Sequence, residues 1–308
     1  MRMNAQTSHG FRPVAAVLLM VASAASFALM GAAVKASTGS LPFLVSLFFR
    51  SILGIIPLGI IVIVRQGSLR SNRQKLLFRR SLLGFCAMFM FFFAIEHLPL
   101  STAVVLNQSA PVFTVIFSAI LLKEHRAIHV LPLSFVAFLG VGVLVGPDIA
   151  ETGIEASIGL ASAVLSALAY VTVKQLSVTE SSPLIVFYFS VWGTVFAAVV
   201  LGLALLTGWG DLDLDVVARE LSRPAGVVAL CLVGFFGVCG QLLMTASYAR
   251  ARASLVSPFA FFNPLFSYVI GVSVFSESMT LHGVLGGILV VSASALVPFV
   301  SNGATRAR

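Results

Sequence analysis

The chain has 308 residues, of which 59% are hydrophobic and 10% charged, and its mean hydropathy is +1.05. Soluble domains carry about 25% charged residues, so this composition excludes a water-soluble fold and describes an integral membrane protein. A net charge of +8 would suit nucleic acid in a soluble chain, but here the basic residues flank apolar runs, where anionic lipid headgroups are the simpler partner; no nucleic-acid partner is expected.

A bilayer core of about 30 Å takes about 20 helical residues to cross, and ten runs of that kind follow one another. The first, 13–36, comes after Arg2 and Arg12 and exceeds the h-region of a signal peptide, so it is expected as an uncleaved first helix. The second, 42–64, carries Arg50 inside the stretch VSLFFRSILGIIPLG, about 12 Å deep at the helical rise. A charge there costs at least about 2.5–3.5 kcal/mol on insertion scales. No span offers a carboxylate in its middle, which leaves opened backbone carbonyls, the amides of Asn107, Gln108 or Asn263, water, or a solute carboxylate as partners.

A basic loop, 65–80, holds Arg65, Arg70, Arg73, Lys75, Arg79 and Arg80 and leads to the third span, 80–97. The fourth, 101–122, sets Asn107 and Gln108 just ahead of Pro111, and the fifth, 127–146, is glycine-rich. The sixth, 157–179, carries Tyr170; the seventh, 183–207, carries Trp192; the eighth, 225–248, carries Gln241. The ninth, 254–275, sets Asn263 beside Pro264, and the tenth is 280–300. All ten are continuously apolar rather than alternating, which excludes a β-barrel.

The fold class expected is an all-α membrane protein. Proline in mid-span removes a backbone donor and frees an upstream carbonyl, so the fourth and ninth helices are expected to kink at Pro111 and Pro264. The three cysteines, Cys86, Cys231 and Cys239, show no metal-ligand spacing and read as small packing residues.

Charge sets an orientation. With the N-terminus in the cytoplasm, 15 of the 19 basic residues fall on the inner side, and nine of the eleven acidic residues fall outside. Both termini are then cytoplasmic.

The chain also repeats itself. The segment from Phe91 and the segment from Leu242 align at a constant offset of 153 residues, so that Ser101 meets Ser254, Pro111 meets Pro264, Phe113 meets Phe266, Glu124 meets Glu277 and His129 meets His282. Each half holds five spans, and an odd number turns the second copy upside down. The expected units are therefore residues 1–148 and 149–308, two inverted five-helix repeats in one membrane body. Aligning Pro42 with Pro183 places Val191 opposite Arg50, so the charge belongs to one copy only. Glu124 and Glu277 open the fifth and tenth helices, where a carboxylate favours the positive helix end, and a structural role is expected.

These features resemble the EamA-type drug/metabolite transporter superfamily over nearly the whole chain. The segment APVFTVIFSAILLKE before the glycine-rich FLGVGVLVG, its echo NPLFSYVIGVSVFSE, and Val34 with Lys35 in the first helix carry the resemblance. It implies secondary transport of a small solute by alternating access in a bacterial inner membrane, with a likeness to exporters of amino acids and related metabolites, aromatic amino acids included. It also implies a basic residue near the place of Arg50 in the second helix, in a framework role.

The candidate solute contacts are Arg50, Asn107, Gln108, Tyr170, Trp192, Gln241 and Asn263, amides and aromatic rings suited to an apolar solute with a few polar handles. No acidic residue lies in the middle of a span, which points to facilitated diffusion rather than proton coupling. The other readings are a membrane receptor or scaffold, or an intramembrane enzyme. HRAIH, with His125 and His129, lacks the glutamate of a zincin motif, and no GxSxG elbow or phosphate loop occurs, so no catalytic residue, metal or cofactor is expected. The partners expected are the solute and the lipid bilayer. The glycines of the fifth and tenth helices would serve packing within one chain or between protomers.

Overall fold

The computed structural model describes residues 13–36, 43–98, 100–146, 153–208, 214–276 and 278–303. Ten spans among them are long and apolar enough to cross a membrane. Helix α1 is Pro13–Ala36; the second span is α2 (Phe43–Ile52) and α3 (Ile55–Gln66); α4 is Gln74–His97. The fourth span is α5 (Leu100–Asn107) and α6 (Ala110–Leu121), followed by α7 (Ala127–Val145). The second half holds α8 (Ile154–Leu176), α9 (Ser182–Thr207), a short surface helix α10 (Leu214–Ser222) and α11 (Pro224–Arg250). Its ninth span is α12 (Ala253–Val256), a 3-10 stretch Ser257–Phe261 and α13 (Phe262–Val274), and the last helix is α14 (Leu281–Gly303). Among the described residues there is no strand.

The inverted repeat governs how the helices pack. Helix α1 of the first half lies along α11 and α13 of the second, and α8 of the second half lies along α4 and α6 of the first, the same pairings with the halves exchanged. Helices α7 and α14, the last of each half, pack on each other, as do α2 and α9. The α7–α14 crossing is close because Gly140 and Gly286 meet there: a Cβ on Gly286 would overlap the Leu144 backbone. Gly142, in the same glycine-rich run, instead faces open space. Outer faces are apolar, with Val64 78% and Leu206 85% exposed, as suits lipid.

Three spans depart from regular helix, each next to a proline. Pro111 cannot donate to the Asn107 carbonyl, and α5 ends at Asn107 while α6 begins at Ala110. The Ser109 hydroxyl donates to the Leu106 carbonyl at 2.6 Å, satisfying backbone that the bend exposes. In the ninth span the chain tightens to 3-10 turns before Pro264 instead of breaking, and the Ser294 hydroxyl of α14 reaches the Pro258 carbonyl at 3.3 Å.

The third departure was not expected from the sequence. The second span opens at Leu53 and Gly54, four and three residues before Pro57, which has no N–H to offer the Leu53 carbonyl. Gly54 allows α9 to approach: a Cβ there would lie 2.9 Å from Val238 and closer still to Ser190.

The third span also starts earlier than expected. Helix α4 begins at Gln74, so Arg80 is not a loop residue but lies nearly two turns inside a membrane-spanning helix. Glu124 differs in its partner. Its carboxylate accepts hydrogen bonds from the Ala253 N–H at 2.9 Å, the Ser254 N–H at 3.0 Å and the Ser254 hydroxyl at 2.6 Å. It therefore caps the start of the ninth span in the other half, rather than its own helix α7. Glu277 lies outside the described residues.

Candidate functional site

The polar centre of the bundle is built from α2, α4, α8, α9 and α11. Arg80 is 1% exposed. Its guanidinium carbon lies 3.7 Å from the centroid of the Phe189 ring, and its Nη2 donates to the Gln241 Oε1 at 2.9 Å. Its Nε and Nη1 have no hydrogen-bond partner. Arg50, half-buried in the last turn of α2, donates from Nη1 to the Met88 sulfur, a weak acceptor, and sits 6.0 Å from the Phe27 ring centroid. No carboxylate pairs with either arginine among the described residues; the ionisable group that both face is Tyr170. Each buried guanidinium costs about 2.5–3.5 kcal/mol or more, so this arrangement is unfavourable unless something anionic joins it.

Two glycines make room for these groups. A Cβ on Gly84 would lie 3.3 Å from the Arg80 Nη1, and a Cβ on Gly237 would lie 3.0 Å from the Arg50 Nε. Gly84 and Gly237 are themselves 153 residues apart, as are Cys86 and Cys239, so the repeat extends back through α4 and α11. A gap of about 10 Å³ lies beside Arg50, lined also by Ser51, Phe189, Ser190 and Gln241 among others. That is space for a single water.

The residues singled out from the sequence divide into two sets. Arg50, Tyr170 and Gln241 come together around Arg80, with the Tyr170 ring stacked on Tyr248 at 5.8 Å. Asn107 instead donates to the Ser162 hydroxyl at 3.1 Å, and Asn263 to the Ala24 carbonyl at 3.2 Å, both tying helices of opposite halves. The Gln108 Nε2 is buried without a partner at the α5–α6 bend. Trp192 stands in an aromatic row, edge-on to Phe78 at 4.9 Å and stacked on Phe196 at 5.8 Å, with no bond or ring contact to either guanidinium among the described residues. Pro111 and Pro264 are buried at the two irregular stretches described above.

Arg80 is the residue that sequence reasoning missed. The signal was present: Leu76 and Leu77 precede it by four and three residues, which places Arg80 on their inward face and leaves Arg79 exposed. A larger groove of about 580 Å³ lies between α13 and α14, but it is apolar, lined by Leu265, Val269, Ile288 and Val291 among others, and opens on the outer face.

Lys35 lies 4.7 Å over the Phe275 ring. At the end of the bundle rich in arginine, Lys174 donates to the Tyr248 carbonyl at 2.9 Å, while Arg126 and Arg252 both reach Ser301. Partial burial and the charge of Arg126 lower the Arg252 pKa, and Glu124 opposes them. This cluster, with the Glu124 cap, joins the halves at one membrane face. Among the described residues no three metal-ligating side chains converge.

Comparison with known proteins is decisive for the class. The profile of the EamA-like transporter family matches residues 14–146 and again 153–299. The chain belongs to that family. The pseudopaline exporter CntI of Pseudomonas aeruginosa is 31% identical over 280 residues, covering 90% of this chain and 93% of its own. A riboflavin transporter of Brucella anthropi is 22% identical, covering 93% and 99%. A solved crystal structure shares the fold at a TM-score of 0.71 and 18% identity, covering 94% of this chain and 98% of that one. The protein is thus a multi-pass transporter of small metabolites whose two halves are copies of one five-helix unit. The transporter's polar centre lies between the halves, with Arg50 and Arg80 from the first and Phe189 and Gln241 from the second.

Proposed function

We propose that the transporter exports small amino-acid-like metabolites, aromatic and apolar ones included, and that the solute carboxylate binds Arg80. One observation carries this reading: two N–H-bearing nitrogens of a buried guanidinium lack partners in the centre of the bundle, with no protein carboxylate on them among the described residues. A solute carboxylate is the group that completes such a fork. Arg50, Tyr170 and Gln241 complete the site, with the free Gln108 amide a further handle. Asn107, Asn263 and Trp192 serve the framework in this reading, because each is already engaged with the protein. The similarity to a protein named as an exporter supports the direction of transport.

The two halves, divided near residues 148–149, rock about the site, with the bends at Pro111, Pro264 and Leu53–Gly54 absorbing the motion. The basic loops support a reading in which both termini are cytoplasmic and the protein sits in an inner membrane. The spans' described middles carry no acidic side chain, which favours flux down the solute gradient; accumulation driven by a pH gradient alone would refute that part.

The test is flux in proteoliposomes of the purified chain. Labelled phenylalanine, leucine, glutamine and glutamate should exchange saturably, and phenethylamine, which lacks the carboxylate, should neither be carried nor compete. Amine transport equal to amino-acid transport would defeat the proposal. Arg80→Lys should retain part of the flux and Arg80→Gln should lose at least about tenfold in kcat/KM, the loss of one charge-assisted contact.

A further inference from the structure

Resting on the carboxylate reading of Arg80, we propose that the preferred cargo carries two acidic groups, one for Arg80 and one for Arg50, separated as in a five-carbon dicarboxylate.

Arg50 is level with Gly237 on α11, and Arg80 bonds Gln241 on the same helix, four residues further on. On α4, Arg80 lies against Gly84 and Arg50 donates to Met88, again four residues apart. On two independent helices the positions that contact the two guanidiniums are therefore about one turn, or about 6 Å, apart along the bundle. Phe189 and Gln241 touch Arg80 and also line the small gap beside Arg50, so the two guanidiniums share neighbours. Two carboxylates joined by three carbons span a similar distance. Those joined by one carbon do not.

Charge leads to the same conclusion. The two arginines repel each other, and no protein carboxylate answers either one among the described residues. A solute with one carboxylate leaves one buried cation uncompensated, whereas a solute with two leaves none. The arginine pair also discriminates against the amide analogue of the second acid, because an amide offers one neutral acceptor oxygen where a carboxylate offers two charged ones. The gap beside Arg50 has space for one water in the present conformation, so the halves must separate before the cargo enters.

The experiment compares glutamate with glutamine, and malonate with succinate and glutarate, in proteoliposomes of the full-length chain. Glutamate is expected to exceed glutamine by at least about tenfold in kcat/KM, and glutarate to exceed malonate. In Arg50→Gln the glutamate-to-glutamine ratio should fall to near one, and Arg50→Lys should restore part of it. Melting of each purified variant separates a fold defect from a binding defect, and glutarate should raise the melting temperature of the unsubstituted chain but not of Arg50→Gln. Equal transport of glutamate and glutamine would overturn the two-acid proposal and leave the carboxylate reading of Arg80 intact. Transport of amines without carboxylates would overturn both. A ratio unchanged by Arg50→Gln would remove Arg50 from the site.

Discussion

The two halves share a scaffold and differ in where they carry charge. In the first half, the second span breaks at Leu53 and Gly54 and holds Arg50, and the third holds Arg80. In the second half, α9 runs without a break from Ser182 to Thr207, and Val191 and Val233 stand at the corresponding positions. What the second half supplies is reception: Gly237 leaves room for Arg50, and Gln241 accepts from Arg80. The packing between halves obeys the repeat while the chemistry does not. Four central arginines would follow from full symmetry, at roughly twice the desolvation cost. Confining the cations to one half makes the polar centre unlike at its two ends, while the helices around it keep the pairing of the repeat.

The comparison can be broken most strongly where the halves touch backbone to backbone. Gly286→Val puts side-chain atoms into the Leu144 backbone, and about 3 kcal/mol of stability or more should be lost by overpacking. Gly142→Val meets open space and should stay within about 0.5 kcal/mol. Melting in detergent measures both, and equal effects would show that the α7–α14 crossing is not the contact that holds the halves. Next in size, Glu124→Ala leaves the Ala253 and Ser254 donors without their carboxylate, a loss of about 2 kcal/mol. Glu124→Gln should recover part of it. Full recovery would mean that the charge is irrelevant to joining the halves there.

A smaller effect tests the broken span. Pro57→Ala returns an N–H to the Leu53 carbonyl, worth about 1 kcal/mol, and should make the second span resemble the continuous α9. Flux should fall while stability rises. Unchanged flux would separate the break from transport.

Which of these features could be read from the sequence follows from how local their causes are. The ten spans, the inverted pairing and the bend at Pro111 were legible, because length, offset and a missing N–H are properties of the chain itself. Arg50 was visible because apolar residues surround it on both sides. Arg80 was not, because Arg79 beside it is exposed and a run of basic residues precedes it, so a solvated loop looked simpler than an early start to α4. The break at Leu53–Gly54 was missed for a related reason: Pro57 lies near the end of the run, and its effect appears four residues upstream. Trp192 and the two asparagines were singled out as solute contacts because a polar group in an apolar span is conspicuous in a sequence. Their partners, Phe78, Ser162 and the Ala24 carbonyl, are distant along the chain and appear only once the halves are packed.

The smallest expected effect concerns those asparagines, and it sharpens the comparison from the side of the scaffold. Asn107 ends α5 and bonds Ser162 of α8; Asn263 lies in the first turn of α13 and bonds Ala24 of α1. The two bonds are related by exchange of the halves, since each ties a bent span to the first helix of the other copy. Interhelical hydrogen bonds in membranes average about 0.6 kcal/mol, because the separated helices find other partners. Asn107→Ala and Asn263→Ala should therefore each lower the melting free energy by about that much, and by similar amounts. Glutamate flux should change less than twofold in either variant, in contrast to Arg80→Gln. A large and unequal loss of flux, with stability intact, would place one amide on the solute and extend the asymmetry of the arginines to the bent helices.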